Sequence, residues 1–156
     1  MNQAVIRNEL TLSYSDGFRE MDREELKRVY QDETPDRWGI WDQERHIIVA
    51  VFWHESHALL SALAGANDVA KSTEKKLRKG LKRYGYCCDG FFSEALCGEE
   101  APGFRYTYQI GDVTQTAEVL VLKRKTTCYT IYYYAREDLA AASRPVFAEI
   151  LDTMKI

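Results

Sequence analysis

The segment from Arg45 to His54 constrains the fold more than any other part of the chain. Alternation along a strand puts Ile47, Val49, Val51 and Trp53 on one side and Ile48, Ala50 and Phe52 on the other. A strand that is apolar on both sides has to be covered on both sides, so this run predicts the middle of a sheet held between two layers. The strands C-terminal to it decide the kind of sheet. Tyr86 to Leu96, Phe104 to Ile110, Thr116 to Lys123 and Cys128 to Ala135 all read as strands, and Gly111-Asp112 and Lys125-Thr126-Thr127 supply turns between them. Strands joined by such short turns pair antiparallel.

Three helical stretches complete the pattern. Asp22 is placed to cap a short helix, with Glu25 three residues on and Leu26, Val29 and Tyr30 as its apolar side. From about Asp68 to Tyr84 an apolar stripe runs through Ala70, Thr73, Leu77, Leu81 and Tyr84, and Gly85 marks the stop. The last stretch, about Leu139 to Met154, carries Val146, Phe147, Ile150, Leu151 and Met154, with Pro145 implying a kink or a start near Ser143. Glu9 to Tyr14 and Arg37 to Trp41 add two more strands. The expectation is a single α+β domain over residues 1–156, an antiparallel sheet of about six to seven strands flanked by helices.

The pattern resembles the fold shared by PsbP, a photosystem extrinsic subunit, and the Ran-binding Mog protein of yeast. The residues that carry the likeness are Leu10-Thr-Leu-Ser-Tyr-Ser-Asp-Gly-Phe18, the paired strands Tyr106 to Ile110 and Val119 to Lys123, Tyr129-Thr-Ile-Tyr-Tyr-Tyr-Ala135, and the closing Phe147-Ala-Glu-Ile-Leu-Asp-Thr-Met-Lys155. Where secreted members carry a Pro-Trp pair after the first strand, this chain has Arg19-Glu20-Met21. The resemblance implies an α/β/α sandwich acting as a binding or assembly module, and it transfers no functional residue, because the fold is not tied to one catalytic constellation.

Composition narrows the function classes. A net charge of -3 does not suit a chain whose whole surface is built for nucleic acid. The longest apolar run, Ile47 to Trp53, is far below the ~20 residues of a membrane-spanning helix. With no apolar stretch of signal length near Met1, the expected setting is a soluble, cytoplasmic one. Cys87, Cys88, Cys97 and Cys128 form no C-x-x-C pair and read as small buried hydrophobes in strands.

No motif specifies catalysis. His54-Glu55-Ser56-His57 is one residue short of the helical zinc-protease spacing, and on a strand end its histidines point to opposite faces. A loop would be needed to converge them, with Glu55 or Asp68 as an oxygen ligand. Neither a nucleophile elbow nor a glycine-rich phosphate loop is present. No metal or other cofactor is expected.

Two features remain. Lys71, Lys75, Lys76, Arg78, Lys79, Lys82 and Arg83 oppose the single acid Glu74, which makes the second helix locally positive. Such a run equally serves as a solvated face. The last long strand crowds Tyr129, Tyr132, Tyr133 and Tyr134, with Tyr132 and Tyr134 on one face. The expected function is non-catalytic recognition of a protein partner, or self-association, through the basic helix or through Tyr132 and Tyr134. Nucleic acid and membrane are not the expected partners. The competing reading is a small-molecule binder or enzyme with a pocket between sheet and helix, near Trp38, Trp41 and Tyr134.

Overall fold

The computed structural model describes residues 1–30, 34–55 and 65–156. Its elements are β1 Asn2–Ile6, β2 Leu10–Tyr14, β3 Arg19–Glu20, α1 Arg23–Tyr30, β4 Arg37–Asp42, β5 Ile47–Glu55, α2 Ala66–Gly80, β6 Cys87–Leu96, β7 Glu99–Ile110, β8 Val113–Arg124, β9 Thr127–Arg136 and α3 Ala140–Thr153. Short 3-10 turns, Lys82–Tyr84 and Glu137–Leu139, follow α2 and precede α3. Seven strands form one sheet in the order β3-β4-β5-β9-β8-β7-β6, every neighbour antiparallel. The expected α+β architecture, an antiparallel sheet between helical layers, is the one found.

Local chemistry accounts for the meander. Cys97-Gly98, Gly111-Asp112 and Lys125-Thr126 each join two strands through two residues, and Cys97, Gly98, Gly111 and Lys125 take the positive φ that tight hairpins require. The Asp22 cap is realised as a capping box: the Glu25 N–H donates to Asp22 Oδ1 at 2.8 Å and the Asp22 N–H to Glu25 Oε1 at 3.1 Å.

Each face of the sheet has its own cover. On one, Val49, Val51, Leu120, Leu122, Ile131 and Tyr133 meet Phe147, Ile150 and Leu151 of α3 and Leu10 and Leu12 of the β1–β2 hairpin. Tyr133 and Phe147 lie parallel with ring centres 4.6 Å apart. On the other face, Phe104, Tyr106, Val119 and Val121 meet Ala70, with Val69, Leu77 and Leu81 of α2 packed alongside. The two-sided apolar pattern of β5 thus has the cover it called for: Val49, Ala50 and Val51 are fully buried.

Several expectations are corrected. Pro102, which the sequence suggested would mark the beginning or end of an element, lies inside β7; it sits opposite Ser93 of β6, and pairing with β8 starts only at Gly103, so its missing N–H falls where the strand has one neighbour. Helix α3 keeps the expected span of about Leu139 to Met154, beginning at Ala140 and running through Pro145, so it does not start near Ser143. The strands β1 and β3 were not expected. The cysteines are free and none is fully buried: Cys87 is exposed, and Cys97 occupies a turn at φ 53°.

Candidate functional site

One helix-covered face of the sheet holds a layer of tyrosines. Tyr132 and Tyr134 stack nearly parallel on β9, 6.1 Å apart, as expected of alternate residues on one face. Tyr30, the last residue of α1, lies over both at 5.9 and 6.0 Å and meets Phe52 edge-on at 4.6 Å. The Arg37 guanidinium sits 4.3 Å from the Phe52 ring centre and 5.5 Å from that of Tyr30. Tyr106 and Tyr108 continue the layer on β7. Burial drives the phenol pKa values of Tyr30, Tyr106 and Tyr134 well above the ordinary range, and neighbouring phenols add to it for Tyr30 and Tyr134. Burial pushes Tyr108 up to about 12. These phenols stay protonated at neutral pH. Tyr132 and Tyr134 lie half-buried, with the Tyr30 ring of α1 over both.

The basic run lies on α2, and the underside of that helix shows how the cations are turned outward. Ala70 and Glu74 are buried, whereas Lys71, Lys75, Lys76, Arg78 and Lys79 are exposed, as are Lys82 and Arg83 just beyond. Glu74 is 2% exposed yet ionised. Arg78 donates to both of its oxygens, Nε at 3.0 Å, and the Tyr86 hydroxyl donates at 2.9 Å. The Arg78 contact is the main reason the Glu74 carboxyl is held below its ordinary range, against its burial. Arg78 is thereby committed to its own helix. The other six cations make no ion pair among the described residues, so their field reaches solvent. Tyr84, expected on the apolar stripe, is 44% exposed and stands beside Arg83. The structure places the six cations together and keeps Tyr132 and Tyr134 apart from them, beneath α1.

Sequence reading missed a third cluster. Glu118, on β8, is 2% exposed on the face that carries Leu120 and Leu122. Arg144 of α3 donates Nε and Nη2 to it at 2.6 and 3.1 Å and reaches Glu94 of β6 at 2.7 Å, while Arg105 stands 3.5 Å away. A glutamate at an inward position of an otherwise apolar strand was the available signal. Saturated by two arginines, the carboxylate clamps α3 to the sheet.

The expected pocket does not form as drawn. Trp38 lies on the α3 side of the sheet, 5.9 Å from Tyr14, whereas Trp41 and Tyr134 lie on the other side. A cleft of about 550 Å³ does open between α1 and β4, lined by Met21, Arg23, Lys27, Pro35 and Arg37 among others. His54 is exposed at the end of β5, and His57 lies outside the described residues. Among the described residues no group of three or more His, Cys, Asp or Glu side chains is placed to hold a metal ion, and no helix is long and apolar enough to cross a membrane.

No protein-family model matches this sequence, and no curated protein matches it significantly. Solved structures do match. The cyanobacterial PsbP (CyanoP) of Synechocystis sp. PCC 6803 superposes with a TM-score of 0.68 at 15% identity, covering 99% of this chain and 91% of that one. LpqN of Mycobacterium tuberculosis, involved in cell envelope biogenesis, reaches 0.64 at 13% identity, over 99% and 90%. The Saccharomyces cerevisiae Ran-binding protein Mog1p reaches 0.61 at 8% identity, over 99% and 94%. At these identities the likeness is one of fold: the chain has the PsbP/Mog-type fold.

Proposed function

We propose that this chain, as one domain, is a non-catalytic binding module that docks an acidic surface of a protein partner against α2. The observation that carries the reading is the outward set Lys71, Lys75, Lys76, Lys79, Lys82 and Arg83, without ion pairs among the described residues, on one helix of a chain whose net charge is -3. The acidic residues are distributed over the rest of the chain, so the positive field of α2 is local and directional. Among structures of this fold one is a Ran-binding protein, which supports protein recognition as a use of the scaffold. Four free thiols, one of them exposed, suit a reducing compartment such as the cytoplasm.

The test is native mass spectrometry of the chain isolated gently from its host, run alongside the triple variant K71E/K75E/K79E. The expected result is a protein partner that is retained by the unaltered chain, lost from the variant, and released as salt rises, because exposed charges are screened over about 8 Å at physiological ionic strength. A small molecule or metal at one equivalent per chain, or a partner retained equally by both forms, would overturn the reading.

A further inference from the structure

The two edges of the seven-stranded sheet are treated differently. At one, β3 has two residues, and so short an edge offers little to pair with. At the other, β6 spans ten residues and among the described residues pairs only with β7, which leaves its outward backbone groups open along its length. A bulge between Cys88 and Gly90 interrupts the ladder near one end, and the strand is regular from Gly90 to Leu96. On the α2 side of the sheet this edge presents Cys88, Phe91, Ser93 and Ala95, with no charged residue in register. Phe91 is 52% exposed, resting only one side on Phe104 at 5.6 Å. The 3-10 turn Lys82–Tyr84 runs through Gly85 at φ 70° directly into β6, so the exposed Lys82, Arg83 and Tyr84 flank the Cys87 end.

We propose that the open edge of β6 receives an extended acidic segment of a partner protein as an eighth strand, with an apolar side chain over Phe91 and carboxylates beside Lys82 and Arg83. Main-chain hydrogen bonds would supply affinity and the flanking side chains selectivity. The inference rests on the α2 reading and adds the conformation in which the partner is held. Charge complementarity chooses the occupant: Lys82 and Arg83 are exposed beside the Cys87 end of the edge and make no ion pair among the described residues, which matches a strand that carries carboxylates at that end.

The probe is a fluorescein-labelled nine-residue peptide of alternating valine and threonine ended by three glutamates, the end that antiparallel pairing sets beside Cys87. Its control ends in three lysines. Fluorescence anisotropy with the full chain is expected to show the glutamate peptide binding at least about tenfold more tightly, a preference that K82E/R83E removes. N-methylation of alternate peptide residues is expected to abolish binding in one phase and spare it in the other, since only alternate N–H groups face β6. Amide exchange is expected to slow at Cys88 to Ala95. Equal binding of both N-methyl phases, protection elsewhere, or β6 protection from dimerisation without peptide would overturn the inference. If α2 charge reversal still releases the native partner while these strand signatures are missing, the edge inference falls and the binding-module reading stands. Should neither respond, both fall.

Discussion

Arg144 concentrates more consequence than any other single side chain. It neutralises Glu118, which is 2% exposed, ties in Glu94, and covers the Phe147 ring at 5.2 Å. Removing one partner of a buried pair strands the other charge. R144A is therefore expected to lower unfolding stability by about 3 kcal/mol in urea titration, below the fully buried limit because Arg144 is partly exposed. The double variant R144M/E118L should recover most of that loss. Gly103 is a second such point: a Cβ there would run into the Val119 carbonyl oxygen on the neighbouring strand. G103A is expected to cost several kcal/mol, of order 3 or more, and to abolish the sharp transition measured by circular dichroism. Sequence reading could place Tyr132 and Tyr134 on one face, because alternation is a property of the strand alone. It could not supply Tyr30 above them, or Arg144 against Glu118, because those contacts join residues brought together only by packing.

At the scale of elements, the first helix has a charge device that pH will read. The Arg19 guanidinium, with help from the Asp22 backbone N–H, holds the Glu25 carboxyl down at about 2. The folded value lies below the ordinary 4.5, so this contribution is fully present above pH 4.5 and drains away as pH falls toward 2. Carboxyl NMR titration should place the Glu25 midpoint near 2. R19M should move it toward the ordinary value, and the variant should lose less stability than the parent over that window. The phenols show the opposite sign. Tyr108, Tyr129 and Tyr133 are raised from 10 to about 12, so their contribution holds below pH 10 and is lost between pH 10 and 12. Absorbance at 295 nm should show these residues ionising together with alkaline unfolding. Long periodic elements were legible from sequence for the same reason that they are stable: β5, α2 and β9 bury a face over many residues. Asn2–Ile6 buries only Ala4 and Ile6, and Arg19–Glu20 buries nothing, so neither carried a pattern that could be read.

The molecule is arranged so that charge of one sign faces outward from α2 while the sheet beneath it is aromatic and buried. The fold was readable from the order of strands and turns, and the basic helix from its composition. The open edge at β6 was not, since being last in a sheet is a property of strand order in space. A related long-range feature joins the chain ends. Thr11 pairs with Lys155, the Ser13 N–H donates to Thr153 Oγ1 at 2.9 Å, and α3 packs on β2. The Glu9 carboxylate accepts the Tyr129 hydroxyl at 2.6 Å. These contacts set a schedule for birth on the ribosome. The β1–β2 hairpin emerges with Leu10, Leu12 and Tyr14 ready to bury, but the helix that covers them is made only after β3 to β9. At ordinary synthesis rates that sticky surface waits roughly 10–30 s for its cover, an interval in which holdase chaperones have something to hold.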